Sequence, residues 1–160
     1  MTPWMDVARK YLGQREIKGN KHNPLILQWW TYIRAPFTDD ETPWCAGFLG
    51  GVLEECGIKS TRSAAAQSYL KWGQPLSAPA EGCIVVFWRG SPDSKSGHVG
   101  FVTGKNHKGD LLVLGGNQGD AVTIKSFPRW RVKGYRWPSG YQIPKADLEV
   151  AEAPQTIGEA

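Results

Sequence analysis

The sequence of 160 residues contains no apolar run near the ~20 residues that a membrane-spanning helix needs, so no membrane span is expected. Its first residues, MTPWMDVARKYLGQ, interleave polar and apolar side chains and lack the charged-then-apolar layout of a signal peptide. Together these absences predict a soluble chain made in the cytoplasm. Cysteine is scarce: Cys45, Cys56 and Cys83, an odd number. Cys45 and Cys56 fall on one predicted helix, where a ~1.5 Å rise per residue holds them too far apart to bond. No CxxC pair is present, which argues against a structural zinc site. This is the cysteine usage of a reducing compartment, and it leaves a thiol available as a nucleophile.

Basic residues are missing from the end of the chain. Beyond Ala146 stand Asp147, Glu149, Glu152 and Glu159 with no Lys or Arg. Setting those four charges aside from the net +4 leaves residues 1–145 at +8. Such a body is attracted to anionic polymers, the acidic envelope of a bacterium among them. No nucleic-acid-binding motif accompanies the charge, so nucleic acid is not expected as a partner. Hydrophobic residues at 41% and charged residues at 21% make an ordinary globular mixture. Tryptophan is abundant, with eight residues, and most are expected in the core because each buries a large area with one polar handle.

The first half of the chain has helical periodicity. Thr2-Pro3 opens a stripe of Trp4, Val7, Ala8, Tyr11 and Leu12, and Asn23-Pro24 opens another through Leu25, Ile26, Trp29, Trp30 and Ile33. Thr42-Pro43 begins a third helix with Cys45, Phe48, Leu49, Val52, Leu53 and Cys56 on one stripe. Ser63 caps a short fourth, Ala64 to Trp72. From Glu81 the period changes to that of strands: Cys83–Trp88, Val99–Gly104, Leu111–Gly116, Val122–Phe127 and Val132–Trp137, separated by turns bearing Gly, Asn and Asp. Short turns imply antiparallel pairing. The expected fold is α+β, with N-terminal helices packed on a C-terminal antiparallel sheet in one domain, 1–145, followed by a mobile acidic tail, 146–160.

Thr42-Pro43-Trp44-Cys45-Ala46-Gly47-Phe48 is the segment richest in chemical implication. A cysteine in a first helical turn meets unpaired backbone N–H groups and the positive end of the helix dipole, both of which favour a thiolate and could hold an oxyanion. Cys56 and Cys83 are read as small core hydrophobes. Such a nucleophile needs a base. His22 and His107 fall in loops, whereas His98 begins a strand in Ser96-Gly97-His98-Val99-Gly100, where glycines allow another element to approach. A histidine at a strand start facing a cysteine at a helix N-terminus is the arrangement of papain-like thiol hydrolases. A third group should orient the imidazole. A two-residue hairpin loop pairing 106 with 109 sets Asn117 opposite His98; a glycine bulge at Gly109 brings Gln118 there instead. The registers leave both open.

Trp44-Cys45-Ala46-Gly47-Phe48, Gly97-His98-Val99-Gly100-Phe101-Val102 and Gly115-Gly116-Asn117-Gln118 resemble, in that order, the motifs of CHAP domains, the cysteine- and histidine-dependent amidohydrolases/peptidases. The resemblance spans most of residues 1–140. It implies a papain-like fold and a peptidoglycan substrate. Cys45 would be the nucleophile, His98 the base, and Asn117 the third catalytic residue, with Trp44 and Gln118 as substrate contacts. Some members carry a carboxylate where this chain has Gly115. Among CHAP proteins a small basic domain is most similar to phage endolysins, which wait in the host cytoplasm before reaching the wall. A monomer without cofactor is expected. The acidic run Asp39-Asp40-Glu41 is similar to calcium-binding loops of some relatives, but adjacent carboxylates do not supply alternating ligands, so no metal site is assigned.

Overall fold

Prolines and an asparagine set where the first helices begin. The computed structural model of the chain describes residues 2–17, 22–37 and 43–152. Helix α1 (Pro3–Lys10) and helix α2 (Pro24–Tyr32) each start on a proline, whose missing N–H costs nothing at that position. Asn23 caps α2 by accepting the Leu25 N–H at 2.9 Å. Helix α3 (Cys45–Glu55) begins on Cys45 itself; Thr42, the expected cap, lies outside the described residues.

Helix α3 is buried on all sides from Cys45 through Leu53. Three glycines make that possible, because α2 presses its largest side chains against them. A Cβ at Gly51 would stand 2.5 Å from Trp29 Cδ1, and one at Gly47 would stand 2.9 Å from the Trp30 ring. The lost helix propensity is offset by close approach of the two helices. Trp29 in turn stacks on Trp44 and meets Phe48 edge-on.

The second layer is an antiparallel sheet in the order β1-β6-β2-β3-β4-β5. Its strands are β1 (Gln74–Leu76), β2 (Ile84–Trp88), β3 (Gly97–Lys105), β4 (Leu111–Gly115), β5 (Thr123–Phe127) and β6 (Val132–Trp137). The helices-then-sheet order is the α+β arrangement expected. Two elements differ. The expected fourth helix is a six-residue 3-10 segment, Ala66–Lys71, and the edge strand β1, with Pro75 at its centre, carries no alternating pattern that could announce it.

The β3–β4 hairpin combines both expected registers. Asn106 N–H donates to Asp110 O at 3.0 Å, and Gly109 has φ +86, so the turn takes the bulged form. Lys105 therefore pairs with Leu111 and Gly104 with Leu112. A second irregularity around Thr103 cancels the first, and Val102 faces Val113. Beyond Gly115 the chain leaves the sheet.

The start of the acidic segment departs from the expected mobile tail. Strand β3 outruns β2, leaving backbone groups at its far end without a strand partner. Residues 149–151 fill that place: Lys105 N–H donates to Glu149 O, and Ala151 N–H to Lys105 O, both at 2.9 Å. Leu148 joins the core beneath. Removing residues 146–160 should therefore lower the melting temperature by about 3–8 °C, for a loss of roughly 1–3 kcal/mol. Differential scanning calorimetry would check this, and an unchanged melting temperature would show that the docked segment contributes nothing.

Candidate active site

Cys45 opens α3 with its side chain 4% exposed, directed at β3 rather than at bulk water. Burial pushes its thiol above the ordinary value. Three influences oppose that: the Val99 backbone N–H, the charge of Arg89, and the N–H groups of Ala46 and Cys45 at the helix terminus. Val99 directly follows His98, so the strand start that carries the imidazole also contacts the sulfur.

His98 is wholly buried. Its ring lies flat on Phe127, with centroids 5.3 Å apart and an interplanar angle of 11°, and Phe87 stacks alongside at 6.4 Å. One edge of the ring is fixed by a hydrogen bond: Nε2 lies 2.9 Å from Gln118 Oε1. The Gln118 amide nitrogen donates to Val113 O at 3.1 Å and to Thr123 O at 2.8 Å. Both amide hydrogens are thus used on carbonyls, and the oxygen is left to face the imidazole. An amide oxygen only accepts, so Nε2 is the protonated nitrogen and Nδ1 is the basic one.

Gln118, rather than Asn117, therefore holds the third position against the imidazole. Asn117 nominally lies opposite His98, but β4 ends at Gly115 and Asn117 adopts φ +61 in the turn that follows. Asparagine tolerates that left-handed backbone better than most residues. Its placement turns the chain so that the next side chain folds back under the strand end. A Cβ at Gly115 would collide with Gln118 Oε1 and lie 3.4 Å from His98 Nε2. Gly115 thus leaves open the space through which Gln118 reaches the ring. Gly116 has a parallel role, since a Cβ there would stand 2.6 Å from Phe48 and 2.8 Å from the Trp44 ring.

The loop that carries Gln118 is pinned from outside. Gly13 N–H donates to Val122 O, Val122 N–H to Gln14 O and Glu16 N–H to Asp120 O, at 2.8–3.0 Å. Glu16 also accepts the Trp44 indole N–H at 2.7 Å. This segment after α1 ties the histidine's support to the residue before the nucleophile. The two expected substrate contacts, Trp44 and Gln118, lie inside the structure. Both are fully buried, Trp44 between Trp29 and Gly116 and Gln118 beneath His98, and each shapes the site by packing.

The remaining candidates lie apart. His107 sits in the hairpin turn, exposed and 3.4 Å from Glu152, and His22 precedes the cap of α2. The Asp39-Asp40-Glu41 run lies outside the described residues. Arg89, whose charge reaches Cys45, has no counterpart in the sequence motifs. Its signal was positional: it follows the apolar run of β2 by one residue, on the side of the strand shared with Phe87.

A family model described as CHAP domain matches residues 37–117, half of the chain, and takes in Cys45, His98 and Asn117. The chain belongs to the CHAP-domain family. CHAP domains are cysteine- and histidine-dependent amidohydrolases/peptidases, so the chain is placed with hydrolases of peptidoglycan amide bonds in general. Among curated proteins none matches it. Among the described residues no helix is long and apolar enough to cross a membrane.

The three thiols of this CHAP domain should differ in reactivity. Burial pushes Cys83 up to about 12, so at pH 8 it stays protonated and enclosed. Iodoacetamide should leave Cys83 unmodified in the native protein and label it once denaturant unfolds the chain, as peptide mass spectrometry would read. Labelling of Cys83 in the native state would contradict its place in the core.

Proposed function

We propose that this CHAP domain is an endolysin-type peptidoglycan hydrolase that cleaves an amide bond through a covalent thioester. The observation that carries the proposal is the fixed imidazole, with Nε2 held by Gln118 and Nδ1 left basic, one residue from the backbone group that touches the Cys45 sulfur. Cys45 Sγ attacks the amide carbonyl as its proton passes to His98 Nδ1. Backbone N–H groups at the start of α3 stabilise the oxyanion. The tetrahedral intermediate collapses, the C–N bond breaks, and His98 returns the proton to the leaving amine. His98 then takes a proton from water, whose oxygen attacks the thioester and releases the free acid and the Cys45 thiol.

The basic body suits an anionic wall, and a lysis enzyme of this kind would accumulate in the host cytoplasm as a monomer until released. A purely wall-binding role through exposed tryptophans has narrower support: Trp130 is the one largely exposed tryptophan, and Trp4, Trp29, Trp30, Trp44 and Trp137 are buried.

Zymography and turbidity clearing on purified walls test the mechanism. Cys45→Ser and His98→Ala should each abolish nearly all clearing with unchanged circular dichroism, because the pair acts as one unit. Clearing above a tenth of wild type in either variant would refute the dyad, and no clearing by the wild type would favour the binding role. Mass spectrometry of the released fragments identifies the bond.

The support of His98 has its own test. Gln118→Ala should lower turnover by about 10²-fold through loss of imidazole orientation, whereas Asn117→Gly, which keeps the left-handed backbone, should retain most of it. Gly115→Asp alone should be inactive from collision with Gln118, and Gly115→Asp with Gln118→Ala should recover activity above either single variant. Equal activity of the double variant and Gly115→Asp would show that the two positions do not share one space.

A further inference from the structure

Arg89 is a charged residue that the mechanism above leaves idle. It follows β2, and its backbone N–H donates to Ser96 O at 3.1 Å, extending the β2–β3 pairing one step past Trp88 and Gly97. Side chains alternate along a strand, so Arg89 shares a face with Phe87, and Phe87 is the direct partner of His98. The side chain turns inward: Nη2 is buried and has no hydrogen-bond partner among the described residues. Leaving a charged donor unsatisfied in the interior is costly, and in folded proteins such an exception calls for a reason.

The surroundings identify what the guanidinium faces. The first turn of α3 contributes neither an acid nor a base. Strand β3 contributes His98, and the loop after β4 contributes the neutral amides of Asn117 and Gln118. Glu16, from the segment after α1, accepts from the Trp44 indole. Arg131, from the 3-10 turn before β6, stands over the Phe87 and Phe127 rings, 5.8 and 5.9 Å from their centroids, and donates to Trp88 O. Of these groups of the described residues, the one that can gain a negative charge in the reaction and on which the Arg89 charge acts is the Cys45 thiol.

We propose that Arg89 is the counter-charge of the Cys45 thiolate, a positioning residue whose buried Nη2 gains its partner when the sulfur gives up its proton to His98. The proposal rests on Cys45 and His98 acting as the proposed dyad. Gln118 is neutral, so the histidine's support provides no negative charge to stabilise an imidazolium, and the ion pair relies on cationic and dipolar help from the sulfur's side. The thiol proton moves to His98 Nδ1 alone.

The test is the pH dependence of Cys45 alkylation by iodoacetamide in the full chain, read by peptide mass spectrometry without substrate. Loss of a nearby opposite charge shifts a titration by about one unit or more, so Arg89→Gln should move the midpoint up by about one pH unit and slow alkylation about tenfold below it. Arg89→Lys, which keeps the charge, should stay nearer wild type than Arg89→Gln. Should Arg89→Gln fail to fold, Arg89→Met is read the same way. A midpoint unchanged by loss of the charge, or shifted equally by Lys and by the neutral residue, would overturn the proposal. Failure of the dyad itself would show separately, as wall clearing by Cys45→Ser.

Discussion

The amide of Gln118 is the constraint on which the site depends. Its two N–H groups are committed to the carbonyls of Val113 and Thr123, which belong to neighbouring strands. That commitment points the oxygen at His98 and decides which imidazole nitrogen carries the proton. Much of the nearby sequence serves this one hydrogen bond. Gly115 leaves room for the side chain, Asn117 accepts the backbone turn that aims it, and the segment after α1 clamps the loop.

The nucleophile presents the opposite problem. A thiol at 4% exposure is held protonated by burial, yet the chemistry needs its anion. Cys83 shows burial outweighing its backbone hydrogen bonds, with its thiol pushed up to about 12. Cys45 differs because it begins a helix, meets the Val99 N–H and lies in the field of Arg89. Packing and reactivity are reconciled by geometry: α3 is threaded through the core on Gly47, Gly50 and Gly51, so that its N-terminus arrives under β3 with its dipole directed at the sulfur.

The helix starts at Pro3 and Pro24, the apolar strands from Cys83 onward, and the pairing of a cysteine at a helix start with a histidine at a strand start were legible in the sequence, because each is set by local patterning. The third residue was not. Two hairpin registers were apparent, and the chain uses both, one near Gly109 and the other beyond Thr103, so neither alone predicts what meets His98. The Gln118 side chain reaches the ring from a loop, not from a ladder position, and ladder arithmetic cannot foresee that. The burial of Trp44 and Gln118 was not legible either, because it is set by packing against Trp29, Gly116 and His98. Residues 148–152 carry only a short apolar alternation, Leu148 and Val150, and their docking follows from the unpaired end of β3, a tertiary circumstance.

The central claim is that Gln118 fixes His98 with Nε2 protonated and Nδ1 as the base. Long-range 15N–1H correlation spectra of the His98 ring test it most directly, recorded on the Cys45→Ser variant, where no thiolate–imidazolium pair can form. In its neutral form the ring should show the Nε2–H tautomer, and adding Gln118→Ala should replace it by a mixture of tautomers. A neutral ring protonated at Nδ1, or a tautomer indifferent to Gln118→Ala, would contradict the account.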